Sequence, residues 1–281
     1  MKYSALAITL ILFSTIEVAV KLLGPVIDST LLASMRFLTA GIVMLPFCKI
    51  SPRKLLGEEI LTLLFCAIFL TATFINYHKG VAIMPASASS LIFCLNPAFA
   101  VLFAHLFVKE KISLRIIIGI IAGITGVYIS THGFALPDFY RNYGSIFMLI
   151  SAVTFGLYTA AAKKLLNKYS AVSVTSVVFT LGGLFMLLFV QNWEFDRSVR
   201  SLSIIAYLTL GATALGYFCF FYALKRVTVA VGSSVFFLKP VCAAFFAFFL
   251  LSERFEWTYF LGLAISLFAL FMILSSAGKK T

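Results

Sequence analysis

Apolar positions in this chain neither alternate nor recur on one helical face. They come as long, nearly unbroken runs. Ten such runs cover roughly 3–23, 31–47, 60–82, 86–108, 113–131, 142–162, 172–191, 204–223, 229–251 and 257–276. Each approaches the ~20 apolar residues that a helix needs to cross hydrocarbon. The pattern therefore predicts an all-α membrane protein with ten transmembrane helices. The first run is interrupted by Glu17 and Lys21 and lacks a small-residue cleavage site, so it reads as a retained helix and not as a signal peptide.

The polar stretches between the runs differ on the two sides. Alternate loops hold Lys49, Arg53 and Lys54, then Lys109, Lys111 and Arg115, then Lys163, Lys164 and Lys168, then Lys225 and Arg226. With Lys2, Lys279 and Lys280, that side has fourteen Lys/Arg, against five on the other (Lys21, Arg141, Arg197, Arg200 and Arg254). Basic loops stay on the cytoplasmic side. The expectation is a multi-pass protein of the cytoplasmic membrane with both termini cytoplasmic, which an even number of spans satisfies. Trp193 and Trp257 fall near the outer boundary, where aromatic belts sit.

Composition narrows the class further. Of 281 residues, 62% are apolar and 11% charged, whereas about 25% charged is usual for soluble domains. A soluble enzyme, a disordered chain and a secreted disulfide scaffold are disfavoured. The net charge of +12 would suit nucleic acid, but the concentration of basic residues in alternate loops points to the lipid bilayer instead. Cys48, Cys66, Cys94, Cys219 and Cys242 show no CxxC and no ligand spacing, so they read as small packing residues. No cofactor is expected.

The chain repeats itself. Ser90-Leu-Ile-Phe-Cys-Leu-Asn-Pro97, moved by 143 residues, meets Ser233-Ser-Val-Phe-Phe-Leu-Lys-Pro240. The match continues through Ala100/Ala243, Phe103/Phe246, Ala104/Ala247, Glu110/Glu253 and Gly119/Gly262. An offset of 142 pairs Lys21 with Lys163, and Phe37, Gly41 and Met44 with Phe179, Gly183 and Met186. The predicted halves are 1–137 and 138–281, five spans each. Five is odd, so the second half enters from the opposite side. Two inverted bundles can rock between states open to opposite faces, which is what alternating access requires.

The segments Leu95-Asn-Pro97 to Lys109-Glu110-Lys111, and Leu238-Lys-Pro240 to Ser252-Glu253-Arg254, together with Arg36-Phe37-Leu38 in the second span, resemble the drug/metabolite transporter superfamily, EamA type. The likeness covers nearly the whole chain. It implies a secondary transporter, often a metabolite or amino-acid exporter, with a central cavity lined by both repeats.

Several residues could serve such a cavity. Pro97 and Pro240 lie at midspan, each freeing a backbone carbonyl, as packing kinks or as hinges beside a site. Lys239 is too deep to reach water easily and reads either as half of a fixed ion pair or as a contact for a substrate carboxylate; Asn96 is its repeat equivalent. Glu17, Lys21 and Arg36 form either a structural ion cluster or a site where Glu17 titrates with substrate or H⁺. Asn76, Tyr77, His78 and Lys79 suit an interfacial anchor or a titrating group. Tyr158 and Tyr222 suit a cavity wall or the core, and Ser90 and Ser233 begin the repeated segment. Glu110 and Glu253 have basic neighbours, so local ion pairing that fixes helix ends is the expectation. Gly119, Gly123 and Gly126 suit a close helix contact, within the chain or in a dimer.

No GxxxxGK[ST] phosphate loop, HExxH or GxSxG is present, which disfavours an ATP-driven pump and common intramembrane hydrolases. The predicted function is secondary active transport of a small organic solute, an amino acid or related metabolite, in the export direction. Proton coupling, and a monomer or homodimer, fit the pattern. A lipid flippase, a broad drug exporter and, less well, an intramembrane enzyme are the alternatives.

Overall fold

A computed structural model describes residues 1–51, 57, 59–83, 92–132, 143–251 and 257–277. Among them the chain is helical, and the extended contact it holds is an isolated antiparallel bridge between Ile27 and Phe195. The helices α1 (Lys2–Ser14) and α2 (Ile16–Leu23) follow one another through a break at Thr15, and Gly24 ends α2 at φ 74°. Asp28 starts α3 (Ser29–Met44): its Oδ1 accepts from the N–H groups of Thr30 and Leu31, both at 2.9 Å, which satisfies two of the four orphan donors of a helix start. There follow α4 (Ile60–Ile83), α5 (Asn96–Val108), α6 (Leu114–His132), α7 (Gly144–Leu166) and α8 (Ala171–Leu187). Next, α9 (Val199–Ala206) passes through a π-helical segment (Tyr207–Leu215) into α10 (Gly216–Leu224). Short α11 (Val229–Ser233), α12 (Val235–Leu251) and α13 (Trp257–Ala277) complete the described chain.

Six spans are long and apolar enough to cross a membrane among the described residues: Lys2–Leu23, Ser29–Phe47, Ile60–Val81, Gly144–Leu166, Val199–Leu224 and Trp257–Ser276. Asn96–Val108, Leu114–Ser130, Ala171–Leu187 and Val229–Ala243 are apolar but shorter. Large apolar side chains such as Ile121, Leu149 and Phe271 face outward. In water that surface would be a liability; against acyl chains it carries no penalty.

Helix pairing has an exchange pattern. The helix α6 lies along α13, and α3 along α8. Gly119 lies against Ala269 and Ile273, and Gly126 against Gly262 and Ser266, so α6 and α13 run antiparallel. Likewise Ser34 Oγ donates to Gly183 O at 2.8 Å while Lys49 N–H donates to Ser173 Oγ at 2.8 Å, so α3 and α8 run antiparallel. Further contacts come in matched couples: α4 with α7 and α10 with α1, then α5 with α7 and α12 with α1. The glycine face of α6 is occupied within the chain, by α13 and by Phe237 at Gly123, which resolves the choice left open for it.

The two prolines differ in setting. Pro240 lies inside α12, whereas Pro97 falls in the first turn of α5, with the backbone turning at Cys94 and Leu95 before it. A first-turn proline gives up no helical N–H, so Pro97 opens α5 directly after the turn at Cys94 and Leu95, whereas Pro240 sits within a continuous helix. The carbonyls four residues before each proline are still satisfied. Asn96 Nδ2 donates to Phe93 O at 2.8 Å, and the Cys94 thiol donates to Phe236 O at 3.4 Å.

Candidate functional site

Polar groups converge where three backbone irregularities meet: the break at Thr15, the π-helical segment and Pro240. Thr15 Oγ1 and the Tyr207 hydroxyl share a 2.5 Å hydrogen bond, and Ser14 Oγ donates to Lys239 O at 3.2 Å. The π-helical turn sets Thr213 so that its hydroxyl donates to Leu208 O at 2.7 Å and accepts from Arg36 Nε at 3.0 Å. Such bulges are frequent at functional sites because they re-aim a side chain within a helix.

Arg36 is buried on α3. Its guanidinium acts electrostatically on His78 from α4 and on Tyr217 from α10. Lys239, half-buried on α12, and Tyr77 act on Tyr217 as well, and Tyr217 acts on Tyr158 from α7. Asp28, at the start of α3, is also within reach of His78. Tyr217 thus lies within electrostatic reach of two cations, Arg36 and Lys239, and beside two further phenols, Tyr77 and Tyr158. Rings wall it: Phe13 at 4.7 Å, Phe179 at 5.1 Å, Phe37 at 5.7 Å and Phe221 at 6.2 Å between centroids. Phe236 continues that wall toward Phe93 and Phe155.

Three atoms of this region are buried with no hydrogen-bond partner in the structure: His78 Nε2, Tyr158 OH and Asn96 Oδ1. Buried polar atoms in native folds are normally paired, so each unpaired one calls for an explanation such as a bound solute.

Of the residues expected from the sequence, Arg36, Lys239, Tyr77 and Tyr158 lie within electrostatic reach of Tyr217, and His78 lies within reach of Arg36. His78 is half-buried with its Nε2 buried; Lys79 is exposed, over the Phe147 ring. Tyr222 lies elsewhere, at the basic-loop end, where the Arg226 guanidinium stacks 3.7 Å above its ring. Ser233 is buried and donates to Val229 O at 2.7 Å in its own helix. The side chain of Glu17 and the whole of Ser90 and Glu253 lie outside the described residues. Tyr217 and Thr213 are absent from the sequence-derived set. A tyrosine and a threonine in an aromatic run look like core, and the π-helical turn that aims them leaves no mark in hydropathy.

A profile described as the EamA-like transporter family matches residues 1–131 and again 142–275. An uncharacterized transporter of Clostridium kluyveri is 27% identical over 276 residues, covering 93% of this chain and 89% of that protein. An uncharacterized transporter of Bacillus subtilis, YetK, is 27% identical over 285 residues, covering 96% and 86%. A protein of Streptantibioticus cattleyicolor named a probable terminal-alkyne amino-acid exporter is 28% identical over 175 residues, covering 60% and 58%. One solved crystal structure superposes with a TM-score of 0.82 at 17% identity, covering 99% of this chain and 98% of that one; it speaks to the fold.

Proposed function

This chain belongs to the EamA-like transporter family, a multi-pass membrane protein and not an enzyme, and from that membership we propose that it is a secondary active transporter that exports a small carboxylate-bearing organic solute by alternating access. The observation that carries the reading is the cluster at Tyr217. Two cationic side chains, Arg36 and Lys239, approach one phenol inside a cage of aromatic rings. An anionic head with an apolar body suits that chemistry: the cations attract the carboxylate, and the rings take the remainder.

In this reading the ten apolar segments are ten spans, arranged as two inverted five-helix repeats with the boundary near 137–138 in the cytoplasmic membrane. The antiparallel course of α6 with α13 and of α3 with α8, the exchange-matched couples and the twofold match of the family profile all support it. Parallel repeats would run their equivalent helices in the same direction. The basic loops favour both termini on the cytoplasmic side. The amino-acid exporter among the relatives favours an amino acid or related metabolite. Glu17, one turn from Lys21 on α2, is the proposed proton-coupling acid.

Thermal unfolding of the purified protein with a panel of hydrophobic amino acids and aryl carboxylates, each beside its methyl ester, tests this. A ligand that binds only the folded state at 100 times its Kd stabilises by about 2.7 kcal/mol. Acids should raise the melting temperature and esters should not, and Lys239→Ala should lose the response. Esters as effective as acids would remove the carboxylate reading.

A further inference from the structure

The proline-bearing helix α5 is tied to α11 at the basic-loop end. The helix α5 stops at Lys109, which adopts a left-handed conformation (φ 56°), and the Glu110 N–H turns back to Ala104 O at 3.4 Å. This turn aims the Glu110 side chain across to α11: Glu110 Oε2 accepts from the Val229 N–H at 2.8 Å. The partner comes from the other repeat, 119 positions away in sequence, not from the basic neighbours that the sequence suggested.

Lys163, at the end of α7, sits within electrostatic reach of Glu110. Its ammonium is already committed to two loop carbonyls, donating to Leu224 O at 2.6 Å and to Val227 O at 2.8 Å. It therefore fixes the turn between α10 and α11 in the one shape that presents the Val229 N–H to Glu110. A second tie runs alongside: Lys168 pairs with buried Glu59 at 2.7 Å.

We propose that Glu110 is the latch that holds the solute pocket shut toward the basic loops, with Lys163 as the residue that positions its catch. Releasing the latch lets the ends of α5 and α11 part and opens the pocket to that side. The inference rests on the alternating-access reading above. Closed and open forms of such a device differ by a few kcal/mol, so one charge-assisted hydrogen bond is enough to tip the balance.

The test is one-sided labelling. Tyr217→Cys serves as reporter in a chain whose five native cysteines are replaced, Cys94 by serine and the other four by alanine. A membrane-impermeant maleimide is added to right-side-out or inverted vesicles. With the latch intact, the reporter should label from the face opposite the basic loops. In Glu110→Ala, and in Lys163→Met, labelling should rise from the basic-loop face and fall from the other, each by about tenfold, as expected for the loss of one such bond. Glu110→Gln retains an acceptor for Val229 and should keep the parent pattern. A general loosening of the fold raises labelling from both faces together; that outcome, or an unchanged pattern in both variants, overturns the latch. A reporter that labels from neither face with the latch intact would instead remove the pocket reading on which the latch stands.

Discussion

Phe37 and Phe179, which occupy equivalent positions in the two sequence repeats, meet edge to face with ring centroids 4.8 Å apart at an interplanar angle of 87°. Phe93 and its equivalent Phe236 do the same at 6.5 Å and 90°. Around the first pair the backbone follows suit: Gly41 lies against Thr180, and Gly183 against Leu38, where Leu38 and Thr180 are themselves equivalent. Equivalent residues can touch one another only near an axis that exchanges them. In the proposed inverted-repeat arrangement that axis would run among the rings beside Tyr217.

The aromatic pair on this axis should couple. Both rings are wholly buried, so Phe37→Ala and Phe179→Ala should each cost about 3–5 kcal/mol. The double variant should fall short of the sum by about 0.5–1.5 kcal/mol, the interaction of an edge-to-face pair. A double-mutant cycle from chemical unfolding in detergent reads it; strict additivity would mean that the contact adds nothing beyond burial.

Close packing of α6 on α13 depends on two missing side chains. A Cβ on Gly262 would lie 2.5 Å from both Gly126 O and the Ser130 N–H nitrogen, which are backbone atoms that cannot rotate away. Gly262→Val should therefore separate the helices and destabilise the fold by at least the ~1–3 kcal/mol typical of overpacking. Gly24, with open space around it, is a poor control because its φ is positive. Gly211→Ala, which would meet only the edge of the Tyr207 ring at 3.2 Å, should be far milder in the same melting assay.

Cys94 has a role that hydropathy does not reveal. Its thiol caps the carbonyl that Pro240 leaves without a helical donor. Cys94→Ala should expose Phe236 O to an apolar surrounding and cost about 1–3 kcal/mol. Cys94→Ser restores a stronger O–H donor of similar size and should recover most of the loss. If serine and alanine melt alike, the S–H contact contributes nothing.

Glu110 should give the protein an acid-side stability gradient. Burial pushes its carboxyl above the ordinary value of 4.5, although the Val229 N–H and Lys163 oppose this. A raised pKa in the folded state means that the folded form binds more protons than the unfolded one. That contribution is complete below about pH 4.5 and is lost as pH rises through the folded pKa. Glu110→Gln should flatten the melting temperature over that window. An equally steep profile in the variant would assign the gradient to another group.

Hydropathy and loop charge were sufficient for much of this. Long apolar runs have few alternatives to membrane helices, since backbone in hydrocarbon must bond to itself. A repeat shows in the sequence because Pro97 and Glu110 recur as Pro240 and Glu253 at one spacing. For the proposed site the sequence could single out only groups whose charge stands against apolar surroundings, Arg36, Lys239 and His78. What the tertiary structure decided were relations that no local pattern encodes: the catch for Glu110 supplied by Val229, the carbonyl of Phe236 capped by Cys94, and Tyr217 turned toward both cations by a π-helical segment. A run of apolar residues says that a helix will be buried in lipid or in its neighbours. It does not say which neighbour, because in the bilayer selection among helices falls to packing shape and a few hydrogen bonds, and those exist only once the helices have met.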